Sequence, residues 1–122
     1  MNYLGIDYGR KKIGLAVSDG KLAEPLKVIR YKDIKKLIEQ IKNVIKRENI
    51  GQVIVGVSEG DMAEESKNFA KMLDAKTYDE TLTSIDANTL SIQGGVKRKK
   101  RREMEDAYAA TIMLQNYLDI LL

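Results

Sequence analysis

The chain has 122 residues with a net charge of +3 and 43% hydrophobic content, enough for one domain that buries roughly two thirds of its unfolded surface. It contains no cysteine and no histidine, which excludes thiolate or imidazole zinc sites, Ser-His-Asp triads and cysteine nucleophiles. No apolar run approaches the roughly 20 residues of a membrane span and no secretory signal opens the chain, so a cytoplasmic protein with no membrane partner is expected.

Tyr3 to Asp7 and Lys12 to Val17 read as two strands of a hairpin, the second alternating Ile13, Leu15 and Val17 against Lys12, Gly14 and Ala16. Gly9, Arg10 and Lys11 lie between them. Asp7 closes the first apolar run, and a carboxylate there is costly to desolvate without a partner, water or a metal ion. Leu26 to Arg30, just after the only proline, Pro25, reads as an edge strand. From Asp33, Ile34, Leu37, Ile38, Ile41, Val44 and Ile45 recur at helical spacing, and that helix should end before Gly51. Gln52 to Val57 is apolar on both faces and suits a central parallel strand.

Ser58 to Asp61 should turn into a second helix marked by Met62, Ser66, Phe69, Ala70 and Leu73, followed by a short strand, Lys76 to Tyr78, that runs into Asp79 and Glu80. Thr83 and Asp86 resemble a helix start, with an end near Gly94 and Gly95. Glu103 to Leu121 reads as the last helix. This order predicts an α/β fold with a mixed five-stranded sheet, three antiparallel strands then parallel ones, and helices on both faces. With no repeat or linker, a single domain over residues 1–122 is expected.

The charge is concentrated. Lys97, Arg98, Lys99, Lys100, Arg101 and Arg102 are six consecutive cations, leaving 15 basic residues against 18 acidic ones elsewhere. Such a block is an electrostatic footprint for phosphates, or else a solvated loop.

Three carboxylates stand at positions with chemical meaning. Asp7 and Glu80 follow strands, where ligands gather in doubly covered sheets. Asp106 shares a helical stripe with Ala110, Met113, Leu114, Tyr117 and Leu121, so it should face the sheet, and small Ala107, Ala109 and Ala110 permit close approach. Converging carboxylates repel unless a cation compensates them, and without Cys or His that cation is hard, Mg²⁺ or Mn²⁺. Glu59, Asp79 and Glu103 are alternative ligands.

"LGIDYGRKKIGLAVSD", "VIVGVSEGDMAEESKNFAKML", "YDETLTS" and "EDAYAATIMLQNYLD" together resemble the YqgF/RuvX family, small bacterial nucleases of the RNase H-like superfamily. The resemblance covers nearly the whole chain. It implies an RNase H-like fold, divalent-metal nuclease activity and trimming of the 5′ end of pre-16S rRNA, with a Holliday-junction resolvase role also proposed for members. Matched residue by residue, Asp7, Glu80 and Asp106 take the catalytic and metal-binding positions, while Arg10, Lys11, Lys12 and the run Lys97 to Arg102 fit substrate contacts, the run as a disordered loop. Thr81 stands where relatives have arginine, and the compact "GVSEGD" replaces a longer loop.

Two other readings compete. The "GIDYG" hairpin also resembles the phosphate-binding hairpin of actin-like ATPases, but those close two domains around a nucleotide and this chain has room for one. A non-catalytic RNA-binding module would use the basic run alone, and would bind unchanged in chelator. The partner is thus nucleic acid, an RNA precursor or branched DNA. A resolvase would need a homodimer, for which the apolar tail Ile120, Leu121 and Leu122 is available; a monomer is the alternative.

Overall fold

The computed structural model describes residues 1–57, 60–79 and 98–121, with side chains from 103 onward in the last segment. The elements are β1 (Asn2–Asp7), β2 (Lys12–Ser18), β3 (Ala23–Arg30), α1 (Ile34–Arg47), β4 (Ile50–Val57), α2 (Met62–Met72), β5 (Lys76–Asp79) and α3 (Arg98–Leu121). The helix expected from Thr83, the turn residues Ser58 and Glu59, and Leu122 lie outside the described residues.

The five strands form one sheet in the order β3-β2-β1-β4-β5. β1 pairs antiparallel with β2 and parallel with β4, β2 is antiparallel to β3, and β4 is parallel to β5. This is the mixed sheet that the strand patterns predict. β4 is an interior strand, flanked by β1 and β5, and its Val53, Ile54 and Val55, apolar on both faces, are all buried. Pro25 sits within the edge strand β3, opposite Ala16 at an irregularity in the β2–β3 ladder, where its missing N–H costs little.

Strand alternation sends side chains to two unlike faces. One face carries Leu4, Ile6, Ile13, Leu15, Val53 and Val55, and receives Leu37, Ile41 and Val44 of α1 with Phe69 and Ala70 of α2. The other carries Gly5, Gly14, Ala16 and Ile54, and receives Ala110, Met113, Leu114 and Leu118 of α3. Small residues there let α3 lie close to the backbone. A Cβ on Gly5 would stand 2.9 Å from the Leu114 Cβ, and one on Gly14 only 1.9 Å from the Asp106 carbonyl oxygen.

Helix ends follow local chemistry. The Asp33 side chain accepts a hydrogen bond from the Lys35 N–H at 2.9 Å and so starts α1. α1 ends at Arg47, earlier than Gly51 requires, because Asn49 takes the left-handed conformation at φ 54°. Gly51 is free to enter β4.

Two expectations change at the C-terminal helix. α3 begins at Arg98 rather than Glu103, so Arg98 to Arg102 have helical backbone and are not a loop. Lys97 lies outside the described residues. Leu121, expected on the buried stripe, is 56% exposed, and Leu118 takes the inner position instead. The last turn of the helix is therefore left uncovered by the sheet. Ile120 is exposed beside Leu121, as the tail reading expected.

Candidate active site

The site is built at the carboxyl end of β1. Asp7 is the last residue of that strand and is half-buried. Its Cα partner on β2 is Gly14. Opposed residues in an antiparallel pair lie about 4.5–5.5 Å apart and project to the same face, so Asp7 and the bare backbone of Gly14 both look toward α3. Over Gly14 stands the peptide of Asp106 and Ala107, close enough that any side chain on residue 14 would collide with it. Two aspartates far apart in sequence therefore share one end of one face.

The Asp106 side chain is 28% exposed, and its Oδ2 lies 3.1 Å from the Nζ of Lys12. Lys12 is on β2, two positions beyond Gly14 toward the β1–β2 turn, so the carboxylate projects past the end of β1. The cation that compensates Asp106 here is a lysine ammonium. Lys12, expected to contact phosphate, is thus joined to a candidate metal ligand.

The turn itself is held from two sides. The Tyr31 hydroxyl donates to the Gly9 carbonyl, and the Tyr31 N–H donates to the Lys11 carbonyl at 3.0 Å. Burial, reinforced by neighbouring Tyr8, raises the Tyr31 pKa above the usual tyrosine value and keeps the phenol protonated. Tyr8 packs on Phe69 with ring centroids 4.7 Å apart. Arg10 Nε bonds Glu65 Oε2 at 2.9 Å, an exposed pair that draws Arg10 toward α2. Its guanidinium is further held in the charged form by that hydrogen bond.

Of the other carboxylates, Asp79 pairs with Val57 in the β4–β5 ladder. By alternation it belongs to the α1–α2 face, away from Gly14. Its neighbour Tyr78 points to α3, where it meets Tyr117 with ring centroids 6.1 Å apart, and burial raises its pKa. Glu103 is exposed. Glu80 and Glu59 lie outside the described residues, and among the described residues no three acidic side chains form a cluster able to hold a metal. Among the described residues, Asp7 and Asp106 are accordingly the two candidate donors at this end of the sheet. Carboxylate oxygens of this kind suit Mg²⁺, whose shell is completed by waters and substrate phosphate oxygens.

Sequence reasoning missed Arg30 and Lys32. They line an open cleft of about 610 Å³ with Arg10, Lys11 and Tyr31 beside the β1–β2 turn. The signal was present as "RYK" at the end of an edge strand, but only the β2–β3 register, which pairs Arg30 with Lys12, shows that it adjoins the site.

The chain matches the model of a family described as "RuvX: Holliday junction resolvase" over residues 1–120. A protein of Carboxydothermus hydrogenoformans named "Putative pre-16S rRNA nuclease" is 38% identical, the alignment covering 98% of this chain and 96% of that protein. A protein of the same name from Leuconostoc mesenteroides is 36% identical over 98% and 95% of the two chains. Among solved structures, Thermus thermophilus RuvC in complex with a Holliday junction substrate superposes with a TM-score of 0.64 at 17% identity, covering 98% of this chain and 96% of that one. The fowlpox virus Holliday junction resolvase gives 0.66 at 14% identity, covering 98% and 99%. These likenesses show the RNase H-like fold.

Proposed function

The chain belongs to the RuvX family, and on that premise we propose that it is a divalent-metal-dependent endonuclease, one RNase H-like domain over residues 1–122, that processes the 5′ end of pre-16S rRNA. The observation that carries this reading is the meeting of Asp106 with the Asp7–Gly14 pair at the end of β1. The nuclease names of full-length relatives support it.

Asp7 and Asp106 would hold Mg²⁺ or Mn²⁺, with Glu80 as the third carboxylate. When bound, the ion supplies Lewis-acid stabilisation of the attacking and leaving oxygens of a phosphodiester. The remaining work belongs to the chain. Asp106 is aimed by its helix, whose contact with Gly14 fixes the backbone to which the carboxylate is attached. Lys12 neutralises Asp106 and stands ready to meet a substrate phosphate. The tether from Tyr31 to Gly9 fixes the turn that presents Arg10 and Lys11. The helical run Arg98 to Arg102, with Lys97, adds non-specific attraction for the nucleic-acid backbone.

Branched DNA is the second substrate, favoured by the description of the family. Incubating the protein with Mn²⁺ and either a pre-16S 5′ end or a four-way DNA junction separates the two. Cleavage of the RNA alone, abolished by chelator, is expected. Cleavage of the junction alone makes the protein a resolvase, and binding without cleavage of either makes it a binding module.

A further inference from the structure

We infer that the cleft between the β1–β2 turn and the β3–α1 corner is a subsite for the sugar-phosphate backbone of a single strand continuing away from the carboxylate site. It is lined by Arg10, Lys11, Arg30, Tyr31 and Lys32. The inference rests on the nuclease reading and extends it by assigning a direction in which the substrate leaves.

Three observations carry it. The first is continuity: Arg30 is the Cα partner of Lys12, and Lys12 holds Asp106. A row of cations therefore begins at the carboxylates and runs outward across β2 to β3. The second is charge. Arg10 is engaged by Glu65, but among the described residues Lys11, Arg30 and Lys32 have no ion-pair partner, and all three are exposed. Like charges gathered around one opening repel each other, and a polyanion relieves that repulsion. The third is rigidity, because Tyr31 is fastened to the turn through both its hydroxyl and its backbone N–H. The two sides of the cleft are thus locked before anything binds, which lowers the ordering cost of binding.

Size selects one strand. The cleft has the volume of a small-ligand pocket, which the backbone of one strand can enter and a whole duplex cannot. From β1 to β3 is two strand spacings, about 10 Å, a reach of roughly one to two consecutive phosphates of a strand. The cleft should contact phosphates about one or two nucleotides from the scissile bond.

The test is salt-dependent binding of a 12-nucleotide single-stranded RNA in chelator, so that cleavage does not interfere. Arg30→Ala/Lys32→Ala is compared with Lys42→Ala/Lys71→Ala, which removes the same charge from exposed positions of α1 and α2. If the first pair does not fold, Arg30→Gln/Lys32→Gln replaces it. The subsite predicts that the slope of log affinity against log salt falls by about 1.4 in the first variant and is unchanged in the second. Equal slopes in both variants overturn it, whether or not the wild type cleaves the RNA with Mn²⁺. Conversely, a selective fall in slope in a protein that cleaves neither the pre-16S 5′ end nor the four-way junction overturns the nuclease reading and leaves the cleft as a binding site.

Discussion

Gly14→Ala is the smallest change that should separate the two aspartates. The added Cβ would meet the Asp106 carbonyl oxygen at 1.9 Å, its carbon at 2.0 Å and the Ala107 nitrogen at 2.6 Å. All three are backbone atoms of a helix interior, so no rotamer change relieves the clash. Bringing the nearest approach to about 3 Å requires α3 to lift from the sheet by at least about 1 Å. Overpacking of this kind costs about 1–3 kcal/mol, which for a domain of this size lowers Tm by about 5–10 °C. The same lift moves Asp106 relative to Asp7, and a 1 Å misplacement costs about 100-fold in rate. Thermal melts and Mn²⁺-dependent cleavage under conditions where the variant is fully folded measure the two effects separately. A variant that melts at a lower temperature but cleaves like wild type would show that Asp106 takes no part in the chemistry. One that melts like wild type would refute the close crossing itself.

Asp7→Asn keeps the shape of the side chain and removes the charge that holds a cation, so cleavage should disappear with no fall in Tm; residual activity above a few per cent counts against the assignment. Lys12→Gln removes the ammonium competing for Asp106. Because that ion pair is about a third exposed, the loss of stability in chelator should stay below about 1 kcal/mol, while Mn²⁺ should bind more tightly by calorimetry; weaker binding would show that Lys12 serves to orient Asp106. Tyr31→Phe leaves the Gly9 carbonyl without its donor and should cost about 1 kcal/mol at neutral pH by denaturant titration. Since the folded state keeps the Tyr31 proton to higher pH than the unfolded state, wild-type stability should decline above about pH 10, and the variant should decline less. Replacing Lys97 to Arg102 with glutamine should reduce the salt slope of single-strand binding by up to about 4 units, about 0.7 for each phosphate no longer neutralised; an unchanged slope removes the run from the interface.

The sheet was legible because its information is local. Alternation in β2, the doubly apolar β4 and the helical stripe of α1 each follow from a few adjacent residues. Asp106 was legible for the same reason, its position on a stripe being a property of one helix. What periodicity could not supply was the start of α3. Six cations look like a solvated loop, yet Arg and Lys are good helix formers, and the helix includes Arg98 to Arg102. Register was equally hidden. That Arg30 adjoins Lys12, and that Asp79 falls on the face opposite Asp7, depends on pairing between segments remote in sequence. The Lys12–Asp106 ion pair was invisible for that reason.

The seating of α3 on the first three strands bears on how the protein is made. The Ala23 N–H donates to Gln115 Oε1 across 92 positions of sequence, and Lys12 likewise waits for Asp106. Chains are synthesised from the amino end, so β1, β2 and β3 must emerge long before the helix that covers them. Non-local closure of this kind is slow because loop entropy is lost before contacts form. The waiting face is suited to that interval. Gly5, Gly14 and Ala16 leave little apolar surface for a wrong partner, while Ile and Leu point to the side that α1 and α2 cover earlier. On the proposed reading of Asp106 as a metal ligand, cleavage becomes possible only once the final helix has been made and seated.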